Sequence, residues 1–222
     1  MSDQRQMLRD IEREVKLTRR MIGRDRFSEA VMTAMREVPR ESFVPEPQRR
    51  FAFENGPLPI GCGQTISQPY IVALMTDLLD AAATSTVLEI GTGSGYQAAV
   101  LSRVVRQVYS VEIIETLSLR AQETLQRLGY DNVACHCADG YHGWPEHAPY
   151  DGILVTAATP EIPAPLIAQM KPGGRMVIPI GWPYSYQELM VVEKDDSGVV
   201  HEQAVLGVAF VPLTRDGDFT RS

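Results

Sequence analysis

The first third of the chain alternates between helical patterning and irregular sequence. Apolar residues in 4–38 recur at spacings of three and four, with an interruption near residues 23–26, and this predicts two helices. Prolines and glycines in 39–69 are too frequent for long regular elements, so we expect an ordered but irregular segment. Residues 70–80 return to helical spacing.

From residue 86 onward, short β-branched runs alternate with helical stretches. The predicted strands are "TVLEI", "QVYSVEI", "NVACHCA", "YDGILVTAA", "KPGGRMVIPIG", "QELMVVEKD" and "EQAVLGVAFVPL". Strands that alternate with helices indicate βαβ units and a doubly wound, mostly parallel sheet, and the last two strands suggest a terminal hairpin. We expect an α/β fold in one compact domain. Residues 1–80 would form N-terminal helices and a substrate loop on a core of residues 81–222.

Composition narrows the class of protein. The 222 residues are 44% hydrophobic, which is enough for one substantial core. The first 22 residues carry charges throughout and lack the apolar run of a secretory signal, and no stretch approaches the roughly 20 apolar residues that cross a bilayer. Three cysteines argue against a disulfide framework. We therefore expect a cytoplasmic protein without a membrane partner.

Charge argues against nucleic acid as a partner. The formal net charge is −7, whereas proteins that bind phosphates non-specifically usually carry surplus Lys and Arg. The basic cluster "KLTRR" at 16–20 has acidic neighbours and is typical of a solvated helix face.

A glycine-rich turn, "VLEIGTGSGY", follows the first predicted strand. Gly91, Gly93 and Gly95 precede a helix, where glycine permits a tight turn and lets backbone N–H groups approach a ligand at the helix N-terminus. This context predicts a cofactor site, with a tight turn that binds nothing as the alternative.

The identity of the cofactor is suggested by three details of this turn. The spacing is G-x-G-x-G, and Tyr96 stands where a dinucleotide fingerprint has its third glycine. Glu89 ends the strand, where a negative charge would repel a pyrophosphate. S-adenosylmethionine carries an ammonium and a sulfonium but no phosphate, so an acidic neighbour favours it.

Acidic residues also end the next two predicted strands. Glu112 could accept hydrogen bonds from two ribose hydroxyls, and Asp139 could accept one from an adenine amino group while Gly140 leaves room for the ring. The plainer alternatives are a surface charge at Glu112 and an ordinary turn at Asp139-Gly140. Open α/β sheets bind ligands at successive strand ends, which favours the cofactor interpretation.

Several motifs occur in an order that resembles a known family. "VPRESFVPE", "PLPIGCGQTISQPYIVALM", "VLEIGTGSGY", "ADG", "YDGILVTAA", "KPGGRMVIPIG" and "FVPL" resemble those of the protein-L-isoaspartate O-methyltransferases, from about residue 27 to about residue 214. The resemblance implies a Rossmann-like class I methyltransferase fold with a seven-stranded sheet. It also implies methyl transfer from S-adenosyl-L-methionine to the free α-carboxylate of L-isoaspartyl residues in damaged proteins and peptides. The ester would then form a succinimide.

The resemblance also implies site residues. The active-site serine falls on Ser67, and cofactor contacts fall on Thr65, Ile66, Ser67, Glu89, Gly91, Gly93, Gly95, Glu112, Asp139 and Gly140. Cys62 occupies a position where the family often has an acidic residue or glutamine. Ala209 occupies a position where the family often has a larger residue. Ser67 has a structural alternative as a helix-capping hydroxyl before "QPYIVALM".

Other chemistries receive less support from the sequence. Cys135 and Cys137 form C-x-C, but alternation in a strand turns His136 away from them, so we predict no metal site. No nucleophile elbow surrounds Ser67, which argues against covalent catalysis. A small-molecule carboxyl O-methyltransferase, a non-catalytic cofactor-binding module and a nicotinamide-dependent dehydrogenase stay as alternatives. We expect a monomer.

Overall fold

The N-terminal helices begin and end at recognisable capping residues. The computed structural model describes residues 3–182 and 185–216. Helix α1 (Gln4–Ile22) begins after Asp3, whose carboxylate accepts the Gln6 N–H, and it ends at Gly23 in the left-handed conformation. Helix α2 (Glu29–Glu37) begins after Ser28, which caps the Val31 N–H. The two predicted helices are confirmed.

The proline- and glycine-rich segment contains short ordered elements. Two 3₁₀ helices, Arg40–Phe43 and Glu46–Phe51, precede a hairpin of β1 (Leu58–Gly61) and β2 (Gln64–Ile66). Cys62 lies at the hairpin tip with φ of 54°, a conformation that non-glycine residues adopt uncommonly.

The remaining elements build one large sheet. Its strands are β3 (Thr86–Ile90), β4 (Gln107–Glu112), β5 (Val133–Cys137), β6 (Tyr150–Val155), β7 (Met170–Gly181), β8 (Gln187–Lys194) and β9 (Val200–Val208). The order is β5-β4-β3-β6-β7-β8-β9, in which β3 to β7 are parallel and β8 is antiparallel to both its neighbours. The predicted seven-stranded, mostly parallel sheet with a terminal hairpin is confirmed.

The helices cover both faces of this sheet. They are α3 (Pro69–Leu78), α4 (Tyr96–Ser102), α5 (Glu115–Arg127) and α6 (Ala164–Ala168). One hydrophobic core joins α1 to α5 to the first sheet face, and a second core places α6 on the other. Within the described ranges, no helix combines the length and the apolar character that a bilayer crossing requires.

Candidate active site

A cavity opens at the carboxyl ends of β3 and β4. It lies beside the position where strand order reverses, between β3 and β6, which is where open α/β sheets bind ligands. Seven of the residues singled out in the sequence line it: Thr65, Ile66, Ser67, Gly91, Gly93, Glu112 and Gly140. Three do not: Glu89, Gly95 and Asp139.

The glycine turn requires glycine at position 91, and hydrogen bonds from two neighbouring strands fix its geometry. Gly91 has φ of +92°, and a Cβ there would lie 2.4 Å from the Thr156 hydroxyl oxygen. That hydroxyl donates to the Gly91 carbonyl at 2.7 Å, so the turn is tied to the end of β6. The Gly93 N–H donates to a Glu112 carboxylate oxygen at 2.8 Å. The turn is therefore held open from two neighbouring strands.

Glu112 is fixed at the cavity wall by backbone donors. Its second carboxylate oxygen accepts the Ile114 N–H at 2.9 Å, and the residue is 6% exposed. Each carboxylate oxygen has a further lone pair for a ligand hydroxyl. Glu112 thus fixes the Gly93 turn and also presents acceptors to the cavity. This buried, hydrogen-bonded carboxylate is not the surface charge that the alternative interpretation expects.

The structure corrects the interpretation of Glu89. Its carboxyl is fully buried beneath the turn, where it accepts a hydrogen bond from Ser110, its register partner on β4. The Ser110 hydroxyl also contacts the Thr92 hydroxyl at 2.6 Å. Burial raises the pKa of Glu89 to about 8, with the Ser110 hydrogen bond opposing this and the charge of Glu112 adding to it. Glu89 is therefore mostly neutral at pH 7, and the charge repulsion invoked for it does not operate.

Glu89 gives the fold a testable pH dependence. An ordinary glutamate titrates near 4.5, so between about pH 4.5 and about pH 8 the folded chain keeps a proton that the unfolded chain has lost. Stability conferred by this proton is complete at low pH and is lost as pH rises through that window. Urea unfolding gives the free energy of unfolding at pH 5 and at pH 8. Glu89→Gln should reduce the difference between these two free energies by on the order of 2 kcal/mol. The exposed Glu123→Gln is the control, and an unchanged difference in Glu89→Gln would contradict the assignment.

Gly95 and Asp139 also lie away from the cavity. A Cβ on Gly95 would lie 3.3 Å from Leu125, so this glycine permits close packing of α4 on α5. Asp139 accepts hydrogen bonds from the Arg215 guanidinium at 3.0 Å and from the Tyr141 N–H at 2.9 Å. Burial alone would raise the pKa of Asp139, but these hydrogen bonds and one from the Asp216 N–H lower it. An adenine amino group that donates to Asp139 would therefore bind a carboxylate that already accepts hydrogen bonds from Arg215 and Asp216.

Ser67 lies on the loop between β2 and α3. The N-cap of α3 is Gln68, and Pro69 takes the first helical position, so the Ser67 hydroxyl caps nothing. Within residues 3–182 and 185–216 that hydroxyl has no hydrogen-bond partner. The capping alternative is wrong, and the hydroxyl is available to a ligand in the cavity.

Arg40 was not singled out in the sequence, although it belongs to the motif "VPRESFVPE". Its side chain is completely buried, and it donates to the carbonyls of Ala52 and Ser67, each at 2.8 Å. The guanidinium also lies 4.8 Å from the ring centroid of Tyr96. Burial lowers the pKa of Arg40 to about 10, so the group stays charged at neutral pH. A buried cation therefore connects the serine loop to the first turn of α4.

Three residues of the motif "FVPL", from Val211 to Leu213, also line the cavity. The Ala158 N–H donates to the Val211 carbonyl at 2.8 Å, and the Leu213 N–H donates to the Ala158 carbonyl at 2.8 Å. The segment thus pairs with the loop that follows β6, where Thr156 also lines the cavity. Sequence patterning alone does not reveal this pairing, because the two segments are more than 50 residues apart.

A second concavity, here called the outer groove, adjoins the cavity. It shares four lining residues with the cavity, namely Thr65, Ser67, Thr156 and Val211. Its outer walls come from α1, the start of α3 and residues 206–211, which include Ala209. Ser67 is therefore accessible both from the outer groove and from the cavity that the glycine turn lines.

The chain's histidines are engaged elsewhere. His136 stacks on Trp144 and His147 on Tyr109, while His201 contacts Asp195. His142, like the other three, does not line the cavity. Among the described residues, no group of three or more His, Cys, Asp or Glu side chains is arranged to hold a metal ion.

The sheet order and the cavity beside its switch point define a class I methyltransferase fold. A family model described as protein-L-isoaspartate(D-aspartate) O-methyltransferase matches residues 12–218. The chain belongs to this family.

Individual relatives agree with that membership. Protein-L-isoaspartate O-methyltransferase 2 of Syntrophobacter fumaroxidans is 60% identical over 208 residues, which cover 94% of this chain and 84% of that protein. A protein of the same name from Nitrosococcus oceani is 58% identical over 214 residues, which cover 96% of this chain and 97% of that protein.

Solved structures show the same fold. A protein-L-isoaspartate O-methyltransferase superposes with a TM-score of 0.83 at 31% identity, and the match covers 96% of this chain and 66% of that one. A candidate family member from Plasmodium falciparum, in complex with S-adenosyl-L-homocysteine, gives a TM-score of 0.76 at 24% identity, with 93% of this chain and 98% of that one covered.

Proposed function

We propose that this chain transfers a methyl group from S-adenosyl-L-methionine to the free α-carboxylate of L-isoaspartyl residues in damaged proteins and peptides. The observation that carries the proposal is the Ser67 hydroxyl, which has no partner among the described residues and lies where the cavity and the outer groove meet in a chain of this family. The resulting methyl ester would cyclise to a succinimide, whose hydrolysis partly restores aspartate.

The cavity residues suit this cofactor. Gly91 and Gly93 leave space along the turn, and Glu112 presents oxygen lone pairs to hydroxyl donors. Gly140 lines the cavity beside Ile90 and Val111, which offer apolar surface. Thr65 and Ile66 complete the wall next to Ser67. Bound S-adenosylmethionine supplies an activated methyl group on a sulfonium.

The protein's own part in the reaction is orientation. A carboxylate with a pKa of about 4 is already ionised at neutral pH, so no general base has to prepare it. Holding that carboxylate in a fixed orientation can supply roughly 7–11 kcal/mol. Ser67 would donate a hydrogen bond to one carboxylate oxygen. The absence of histidine from the cavity lining suits this role better than a covalent serine mechanism.

Methyl transfer from radiolabelled cofactor to an isoaspartyl peptide tests the proposal. Base-labile label in the peptide is the expected result, and its absence would contradict the function. Thermal shifts with S-adenosylhomocysteine and with NAD separate this class from a dehydrogenase. Label in a free small carboxylic acid but not in the peptide would favour the small-molecule alternative.

Glu112→Ala should weaken cofactor binding while leaving the saturated enzyme active. The substitution removes both acceptors that hold the Gly93 and Ile114 N–H groups, so the Kd for S-adenosylhomocysteine should rise about tenfold or more. Calorimetric titration measures the Kd, and Glu123→Ala on the exposed side of α5 is the control. An unchanged Kd would show that the ribose assignment to Glu112 is wrong.

We further propose that the protein is a monomer and that it acts in the cytoplasm without nucleic acid. We also propose that residues 1–80 cover a core formed by residues 81–222. The net charge of −7 supports the exclusion of nucleic acid, and the shared hydrophobic core of α1 to α5 supports a single domain. Residues 1–2 of the first range and residues 183–184 and 217–222 of the second lie outside the described residues. Light scattering after size exclusion would reveal a dimer if one forms.

A further inference from the structure

The outer groove has an unusual charge distribution for a site that would receive a carboxylate. Among the described residues that line it, Glu14 is the one charged residue. The other lining side chains are apolar, hydroxyl or amide groups. An isoaspartyl peptide therefore meets a negative charge in the groove and no positive one.

The backbone of Glu14 is fixed by its neighbours, but its carboxylate is not neutralised. It is half-buried on α1, and its backbone carbonyl accepts the Thr18 hydroxyl at 2.8 Å. The Thr18 hydroxyl in turn contacts the Tyr70 hydroxyl at 2.6 Å, which fixes α1 against α3 at the groove wall. In the part of the chain that the structure describes, the Glu14 carboxylate has no ion pair or hydrogen bond.

The sequence of α1 explains why this carboxylate has no partner. Helical neighbours lie three and four residues away, and at those positions Glu14 has Asp10, Ile11, Leu17 and Thr18. The nearby Arg13 pairs with Asp10 instead, at 3.0 Å. No basic side chain on α1 is placed to pair with Glu14.

An aromatic ring adds a second feature that suits a cation. Tyr186 lines the same groove and is 71% exposed, and its hydroxyl donates to Glu188 at 3.2 Å. Exposed aromatic rings attract ammonium and guanidinium groups, the more so beside a carboxylate. The groove lining thus includes an unpaired carboxylate and an exposed ring, and Glu188 contacts that ring's hydroxyl from outside the lining.

We propose that Glu14 selects isoaspartyl substrates that carry a lysine or arginine close to the isoaspartyl residue, whose cationic side chain binds beside Glu14 in the outer groove. This inference rests on the proposed function of the site. Without such a cation, the Glu14 carboxylate repels the substrate carboxylate. With it, the cation pairs with Glu14, and the substrate carboxylate accepts its hydrogen bond from the Ser67 hydroxyl.

The test uses the full chain and sets of isoaspartyl peptides that differ at one flanking residue, either Lys, Gln or Glu. Each position from one to three residues on either side of the isoaspartyl residue is varied in turn. The wild type should favour Lys over Gln at one or more positions by about two- to fivefold in kcat/KM at low salt. Salt should reduce this ratio.

Variants of Glu14 locate the effect. Glu14→Gln should bring the Lys-to-Gln ratio close to one, and Glu14→Lys should make Glu the preferred flank. Glu12→Gln makes the same change of charge at an exposed α1 residue outside the groove and should keep the wild-type ratio. A ratio of one in the wild type at all positions, or a wild-type ratio in Glu14→Gln, would overturn the inference. Failure to methylate any peptide would instead contradict the proposed function.

Discussion

Arg40→Met should lower the free energy of unfolding by about 2 kcal/mol or more and lower methyl transfer together with it. The variant leaves the buried carbonyl of Ala52 and the partly buried carbonyl of Ser67 without this donor. Such a loss costs about 1–3 kcal/mol at a fully buried carbonyl and less at one that water can reach. Removal of an unpaired buried cation offsets part of this cost, because one guanidinium nitrogen of Arg40 has no acceptor among the described residues. Urea unfolding and peptide kinetics measure the two effects.

Arg40→Lys separates charge from hydrogen-bond geometry. A single ammonium keeps the positive charge but cannot reach all the carbonyls that the guanidinium fork reaches, so we expect an intermediate loss. A methionine variant as stable as the wild type would contradict the account, since it would show that burying the cation costs as much as its hydrogen bonds contribute.

Ser67→Ala should lower kcat by about 10- to 100-fold and leave the Kd for S-adenosylhomocysteine within about twofold. A hydrogen bond to a charged group contributes about 1.5–3 kcal/mol, and about 1.4 kcal/mol corresponds to a factor of ten in rate. Because the hydroxyl has no partner within the described chain, its removal breaks no intramolecular hydrogen bond. Peptide kinetics and calorimetric titration give the two values.

Two further variants test whether this effect belongs to the Ser67 hydroxyl. Ser67→Thr keeps a hydroxyl and should retain part of the activity, while Ser197→Ala, in an exposed turn between β8 and β9, should behave as the wild type. Losses of similar size in turnover and in cofactor affinity would show that Ser67 is mainly structural.

The fold was largely predictable because its signals are local. Alternation of β-branched runs with helical stretches identifies each strand of the sheet, and caps such as Asp3 and Ser28 mark helix starts. The hairpin of β1 and β2 was not predicted, because its strands are short and its turn has Cys62 in a positive-φ conformation that sequence patterns favour for glycine. The Sγ of Cys62 lies near Thr116, outside both the cavity and the outer groove.

The site was less predictable because its chemistry depends on burial. Glu89 ends a strand as Glu112 does, yet one carboxyl is sealed below the turn and the other faces the cavity. A sequence does not show how deeply each lies. Arg40 resembles any surface arginine in the sequence, and only the packing of Tyr96 and the serine loop around it reveals a buried cation.

The most direct test of the proposed function compares an isoaspartyl peptide with its normal aspartyl twin of identical sequence. We expect methylation of the isoaspartyl peptide, followed by conversion through the succinimide to a mixture that contains normal aspartyl peptide, and no measurable methylation of the twin. Methylation of both peptides at similar kcat/KM would contradict recognition of the isoaspartyl linkage, and methylation of neither would contradict the enzyme's proposed activity.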